Sequence, residues 1–306
     1  MTNSLPDELR DTMHAAIKLE YWNLFWTATI ILVMGLVLGQ SQTMKTAWVE
    51  DTLGIVPPVA FLIAAHLELK GERSGKFPFG FERVNGLGFF VAAVALTAVG
   101  LLLLFNAAVA LASAEHATVG SIVMFGHDLW LGWLMIAAQI YSLVPPMLIG
   151  RKELPLAEKL NDKLLHTDAL MNKANWLTGA AGLAGIIGLG FGWWWADSVA
   201  AIVISIDVIS DGVKALRSST AELVDGSPRA LSSPELSQDA LDLEKRLRRE
   251  FPAATIRLRE TGRLIRAEVH GVHPPHEHRH PRHYWPTEGE RSWRLAQVSF
   301  VPPVQR

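Results

Sequence analysis

The chain has no cysteine, little charge and no phosphate-binding glycine loop, and each absence removes a class of chemistry. Without cysteine in 306 residues, disulfides, thiolate metal sites and cysteine nucleophiles are excluded. Only 19% of residues are charged, where a soluble domain carries about a quarter. The net charge of −2 offers no surface suited to nucleic acid, and no such partner is expected. Gly75-Lys76 is not preceded by glycines spaced to cradle a phosphate. No stretch reads as a nucleotide domain, so any uphill work is expected to draw on an ion gradient. No Ser-His-Asp arrangement stands out, and no enzymatic activity is expected. Residues 1–20 are polar and mixed in charge, without the apolar core or cleavage site of a secretory signal.

What the chain has in quantity is apolar length. Half its residues are hydrophobic and its mean hydropathy is +0.22. Runs at 21–44, 46–67, 84–114, 129–150, 164–188 and 193–215 are each long enough to cross a bilayer core of about 30 Å. Cationic residues lie before the first run and between the second and third (Lys70, Arg73, Lys76). They recur between the fourth and fifth (Arg151, Lys152, Lys159, Lys163) and after the sixth (Lys214, Arg217). The alternate linkers are nearly free of them, with Lys45 at one edge. This asymmetry predicts a multi-pass membrane protein with both termini cytosolic, and a cell's inner membrane is the expected location.

Past Gly226-Ser-Pro228 the composition turns polar. Ser233-Pro234-Glu235 predicts a helix start, with serine as N-cap and proline at the first helical position. The helix is expected to reach Glu250, with Leu243 and Leu247 on one face. Alternation predicts strands over 255–259 and 264–270 around Thr261-Gly262, and over 294–301. The expected fold is therefore an α-helical membrane protein: a cytosolic tail over 1–20, a six-span domain over 21–216, and a small α/β, ferredoxin-like cytosolic domain over 227–306.

Candidate chemistry centres on the fifth run. Asp168, Met171, Asn172 and Asn175 fall on one face at helical spacing. Asp51, with Glu50 beside it, lies inside the second run, and polar groups at membrane depth normally face a cavity or a partner. At 1.5 Å per residue, Asp51 and Asn175 differ in depth by only about 5 Å, whereas Asp168 sits near the cytosolic mouth, where it could receive an entering ion. Pro57 and Pro58 cannot bond the carbonyls of Leu53 and Gly54, which frees two oxygens within a turn of Asp51. Carboxylate, amide and carbonyl oxygens suit hard divalent cations such as manganese or magnesium. The structural alternative is that Glu50 and Asp51 cap a kinked helix at a wet mouth, and that Met171 is core packing. Asp207, deep in the sixth run, needs a partner such as Asn106 or a proton. Lys173 is expected on another face, snorkelling inward. Six of eleven histidines lie within 270–283: His270, His273, His276, His278, His280 and His283. Such a tract can hold zinc or nickel in a regulatory role, or form a solvated loop.

These features resemble the cation diffusion facilitator family. The resemblance is carried by the six runs with cytosolic ends, the Phe77-Pro-Phe-Gly80 stretch, the acidic start of the second run, Thr167-Asp168-Ala169 opening the fifth, and the α/β tail. It implies a homodimer that exports a divalent cation (manganese, zinc, iron or magnesium) in exchange for protons. The family's usual ligands are two residues four apart on the second span and two on the fifth. Here those positions are Asp51 and Ile55, with Met171 and Asn175, so three of the four depart from the usual acids and histidine. Phe77 and Phe81 likewise stand where histidine is common. Glu50, Asn172 and the freed carbonyls are the expected substitutes. A non-transporting partner or metal sensor of the same fold is the other reading.

Overall fold

The computed structural model describes residues 6–37, 42–70, 75–113, 121–124, 127–190, 195–275, 279–286 and 291–303. The chain begins with α1 (Asp7–Val37), followed by α2 (Gln42–Leu53), α3 (Val56–Lys70) and α4 (Val84–Ala112). A small antiparallel ribbon, β1 (Ser121–Met124) and β2 (His127–Trp130), leads into α5 (Leu131–Leu160), α6 (Lys163–Gly190) and α7 (Ala196–Leu223). Among the described residues, three segments are long and apolar enough to cross a membrane: Leu9–Leu36, Trp48–Lys70 and Val84–Ala112. Of the other three expected runs, 164–188 falls within α6, 129–150 begins in β2 and continues into α5, and the described part of 193–215 lies almost wholly in α7.

Two expectations for the helices need correction. Residues 7–20 are not a separate tail but the first turns of α1. Met13, Ala16, Glu20, Asn23, Thr27, Ile30 and Met34 are all buried, a 3–4 spacing that makes one continuous packed face. Met13 and Ala16 join Phe61, Phe89, Leu160, Leu164 and Leu165 in the largest apolar cluster of the helical domain. The second run is not one helix either. It breaks at Gly54-Ile55, where Ile55 N–H bonds Thr52 at 3.3 Å, and α3 restarts with the two prolines in its first turn. Proline is tolerated there because the first-turn N–H groups have no intrahelical acceptor.

The tail holds α8 (Gln238–Glu250) and a three-stranded sheet in the order β3 (Thr255–Thr261), β4 (Leu264–His270), β5 (Leu295–Val301). β3 and β4 form a hairpin, and β5 runs parallel to β4. The turn between them holds Gly262 at φ +59°, a conformation that a Cβ disfavours. Leu243 and Leu247 of α8 are fully buried, against Ile256, Ile265, Val269, Tyr284 and Leu295. Among the described residues the tail has one helix and three strands, plus short 3₁₀ turns at Pro281–Tyr284 and Ser292–Arg294, fewer elements than a full ferredoxin-like unit. The capping serine is Ser237, whose Oγ accepts from Ala240 N–H at 3.2 Å, not Ser233. The carbonyl of Pro234 accepts instead from the Arg229 guanidinium, and Arg229 bridges Leu236, which delays the helix start.

The tail docks on the helical domain through a buried polar joint. Arg263 bonds Asp162, which itself caps α6 by accepting from Leu164 and Leu165 N–H at 2.9 and 3.1 Å. Lys163 pairs with Glu260, and Glu222 accepts from Gly262 N–H at 2.9 Å. The Phe77-Pro-Phe-Gly80 stretch takes part: the Arg266 guanidinium lies 5.8 Å from the Phe79 ring centroid and bonds Glu82 at 2.6 Å.

Candidate functional site

The break in the second run positions the first group of candidates. α2 ends at Leu53, so Asp51 occupies its last turn, half-buried, while Glu50 is buried with Oε1 unpartnered. Among the described residues no backbone N–H bonds the carbonyls of Leu53 or Gly54. Bare backbone at membrane depth is tolerated where protein or a wet cavity covers it. What lies beside it here is Asn175 of α6. A Cβ on Gly54 would stand 3.1 Å from Asn175 Nδ2 and 3.1 Å from the Asp51 carbonyl oxygen. The glycine thus lets an amide from α6 approach the backbone three residues after Asp51. The broken turn therefore has the Asn175 amide beside Gly54 and two carbonyl oxygens without a backbone donor, within one turn of Asp51; an amide can present oxygen as well as nitrogen.

Met171 packs among apolar side chains. It is 1% exposed, in an apolar cluster with Leu96, Val99, Leu103 and Val208, and Leu53 and Val56 pack against it. Asn172 turns the other way, donating to Glu153 Oε2 of α5 at 3.0 Å. Asp168 is not an open mouth residue: it is 1% exposed and accepts from Asn23 Nδ2 of α1 at 3.2 Å. Asn23 Nδ2 also faces Glu153 Oε1 at 3.3 Å and Glu20 Oε2 at 3.4 Å. Glu20, Glu153 and Asp168 each offer a carboxylate oxygen within 4.8 Å of the others, and all three are fully buried.

Glu20, Asn23 and Glu153 escape a reading by linear runs, because Glu20 falls in a polar stretch and Glu153 beside Arg151-Lys152. The signal that would find them is periodicity. Glu20 and Asn23 continue the 3–4 spacing of the buried α1 face, and Glu153 lies between buried Ile149 and Ala157 at four-residue steps.

Asp207 is satisfied by Lys173, not by Asn106: the two pair at 2.8 Å, with Asp211 at 3.8 Å from the same ammonium. Lys173 therefore reaches sideways to α7 and does not snorkel alone. In the tail, His270 bonds Glu268 at 3.0 Å, His280 accepts from Arg282 N–H at 3.3 Å, and His283 stacks edge-on against Tyr284. His273 lies in the segment after β4, and His276 and His278 lie outside the described residues. Among the described residues, the histidines form no three-ligand group.

The manganese efflux system protein MneS of Bacillus subtilis (strain 168) is 25% identical over 199 residues, covering 65% of this chain and 64% of that protein. The chain thus spans just under two thirds of that relative's length. Residues 24–224 match the cation efflux transmembrane domain. With three apolar segments of membrane-crossing length among the described residues, this makes the chain an integral membrane protein. More than half the chain lies within that match, from the middle of α1 to the end of α7, and the protein belongs to the cation efflux, or cation diffusion facilitator, family.

Proposed function

We propose that the protein is a secondary transporter that exports a divalent metal cation, with manganese the first candidate. Six spans, α2 and α3 together making the second, carry the path, and both termini lie in the cytosol at a cell's inner membrane. The observation that carries this reading is the Asn175 amide set against Gly54 at the break beside Asp51. Asp51, Asn175 and the free carbonyls hold the ion, with Glu50 close by. Oxygen donors without thiolate or imidazole favour manganese or magnesium over zinc, and a manganese efflux relative supports the same choice. Rocking of the helices about this point alternates access. Protons return on Asp51 or a neighbouring acid, and the tails pair in a homodimer.

One observation favours a second reading. Met171, at a position where the family usually carries a ligand, is sealed in an apolar cluster. A non-transporting partner or sensor of the same fold would tolerate that. Uptake of Mn²⁺, Zn²⁺, Fe²⁺ and Mg²⁺ by inverted vesicles under an imposed pH gradient separates the two. The transporter reading expects Mn²⁺ accumulation above empty vesicles, lost in Asp51→Ala. Background uptake by both forms supports the second reading. Accumulation insensitive to the pH gradient removes the antiport step alone.

A further inference from the structure

The geometry points to a second divalent-cation site, separate from the Asp51 break, built by Glu20, Glu153 and Asp168 with the amides of Asn23 and Asn172. Three helices meet here: α1 supplies Glu20 and Asn23, α5 supplies Glu153, and α6 supplies Asp168 and Asn172. The carboxylates are 0%, 0% and 1% exposed, with one oxygen of each within 4.8 Å of the others. Among the described residues no lysine, arginine or histidine pairs with any of them. Buried charge is normally paired or bound to a metal, because an isolated ion costs several kcal/mol or more to desolvate.

The partners that are present do not suffice. Asn23 Nδ2 has two hydrogens and faces three carboxylate oxygens, at 3.2, 3.3 and 3.4 Å, all long for a charge-assisted bond. Independently, Glu20 Oε1 and Asp168 Oδ1 are buried with no hydrogen-bond partner. A cation among the three would satisfy these oxygens and cancel most of the charge. Three oxygens spaced evenly about an ion with bonds of about 2.3–2.6 Å stand about 4.0–4.5 Å apart, so these three, at most 4.8 Å apart, reach a hard ion after small shifts. Amide flips would add the oxygens of Asn23 and Asn172, giving an all-oxygen shell of the kind manganese, magnesium and calcium take.

Asn172 and Asp168 lie three and seven residues before Asn175, so the site sits roughly 5–10 Å along α6 from the Asp51 break. It does not depend on that break being a transport path. Equilibrium dialysis of the purified full-length protein in detergent against MnCl₂ tests it, with bound manganese counted by atomic absorption. The comparison is made in an Asp51→Ala background, which leaves the histidine tract unchanged in both arms. Asp51→Ala is expected to bind one Mn²⁺ per chain more than Asp51→Ala with Glu20→Gln and Glu153→Gln. Equal binding, or none in either, overturns the site. If the triple variant does not fold, Asn172→Asp in the same background replaces it. Its added charge is expected to tighten Mn²⁺ binding at least about tenfold, and unchanged affinity overturns the site. These outcomes leave the vesicle comparison of wild type with Asp51→Ala untouched, so the two readings fail separately.

Discussion

Arg263 of the tail donates to Asp162, with Nε 2.9 Å from Oδ2, and Asp162 is the residue that caps the helix carrying Asp168, Asn172 and Asn175. One buried ion pair thus joins the tail's sheet to the helix on which the candidate ligands are arranged. Glu68 of α3 bonds the same guanidinium. Burial alone would lower the pKa of Arg263, but Asp162 and Glu68 outweigh it and raise it, so the cation is permanent. Removing one partner of such a group strands the other. Arg263→Ala is expected to cost about 3–5 kcal/mol, read as a lowered thermal midpoint in detergent. Arg263→Met paired with Asp162→Asn should cost less than the sum of the two single changes. Additive losses would mean the pair does not hold the joint.

Gly54 is a tight point of the break. Alanine there requires Asn175 or the Asp51 carbonyl to give by a few tenths of an ångström, and valine requires more. Overpacking of this size costs about 1–3 kcal/mol. Gly54→Val should move the amide off the break and take Mn²⁺ uptake toward the Asp51→Ala level, with folded protein still recovered. Uptake equal to wild type would separate Asn175 from the path.

Lys173 and Asp207 are 43% and 54% exposed, a pair in which each charge answers the other. A double-mutant cycle of Lys173→Met with Asp207→Asn should give a favourable coupling of up to about 1 kcal/mol. Asp207 is already engaged in this ion pair. Asp207→Asn is therefore expected to leave the pH profile of uptake in place, and a shifted profile would make Asp207 a relay.

Glu222, past the end of the expected sixth span, gives the joint a pH dependence. Burial, then the charge of Glu260, raise its pKa from 4.5 to about 7, against opposing help from Lys163 and the Gly262 amide. The folded chain therefore binds this proton more tightly than the unfolded chain. Its stabilising contribution is full below pH about 4.5 and is lost as pH rises toward about 7. Glu222→Gln should flatten the fall in thermal midpoint between those limits. A fall of unchanged steepness would assign the dependence to other groups.

The helices were legible because apolar runs of bilayer length and the spacing of basic linkers are one-dimensional signals. The tail's strands and the burial of Leu243 and Leu247 followed from alternation and from helical spacing in the same way. The break at 54–55 was foreshadowed by Pro57-Pro58, since a missing N–H is a property of the residue itself. Asn175 could be set near the depth of Asp51 because rise per residue is fixed, and the structure has its amide beside Gly54.

Partnership across helices was not legible. Sequence named Asp168 and Asn172 but not Glu20, Asn23 or Glu153, since which faces of α1, α5 and α6 meet is set by packing. Met171 and Asn172 are neighbours on one helix, yet one enters an apolar cluster and the other a carboxylate pair, because about 100° of helical rotation separates them. The amino-acid sequence by itself determined the helical membrane architecture and the stock of oxygen donors. Only the tertiary structure decided which donors converge, because a buried charge takes its partners from whichever helix lies beside it, however distant in the chain.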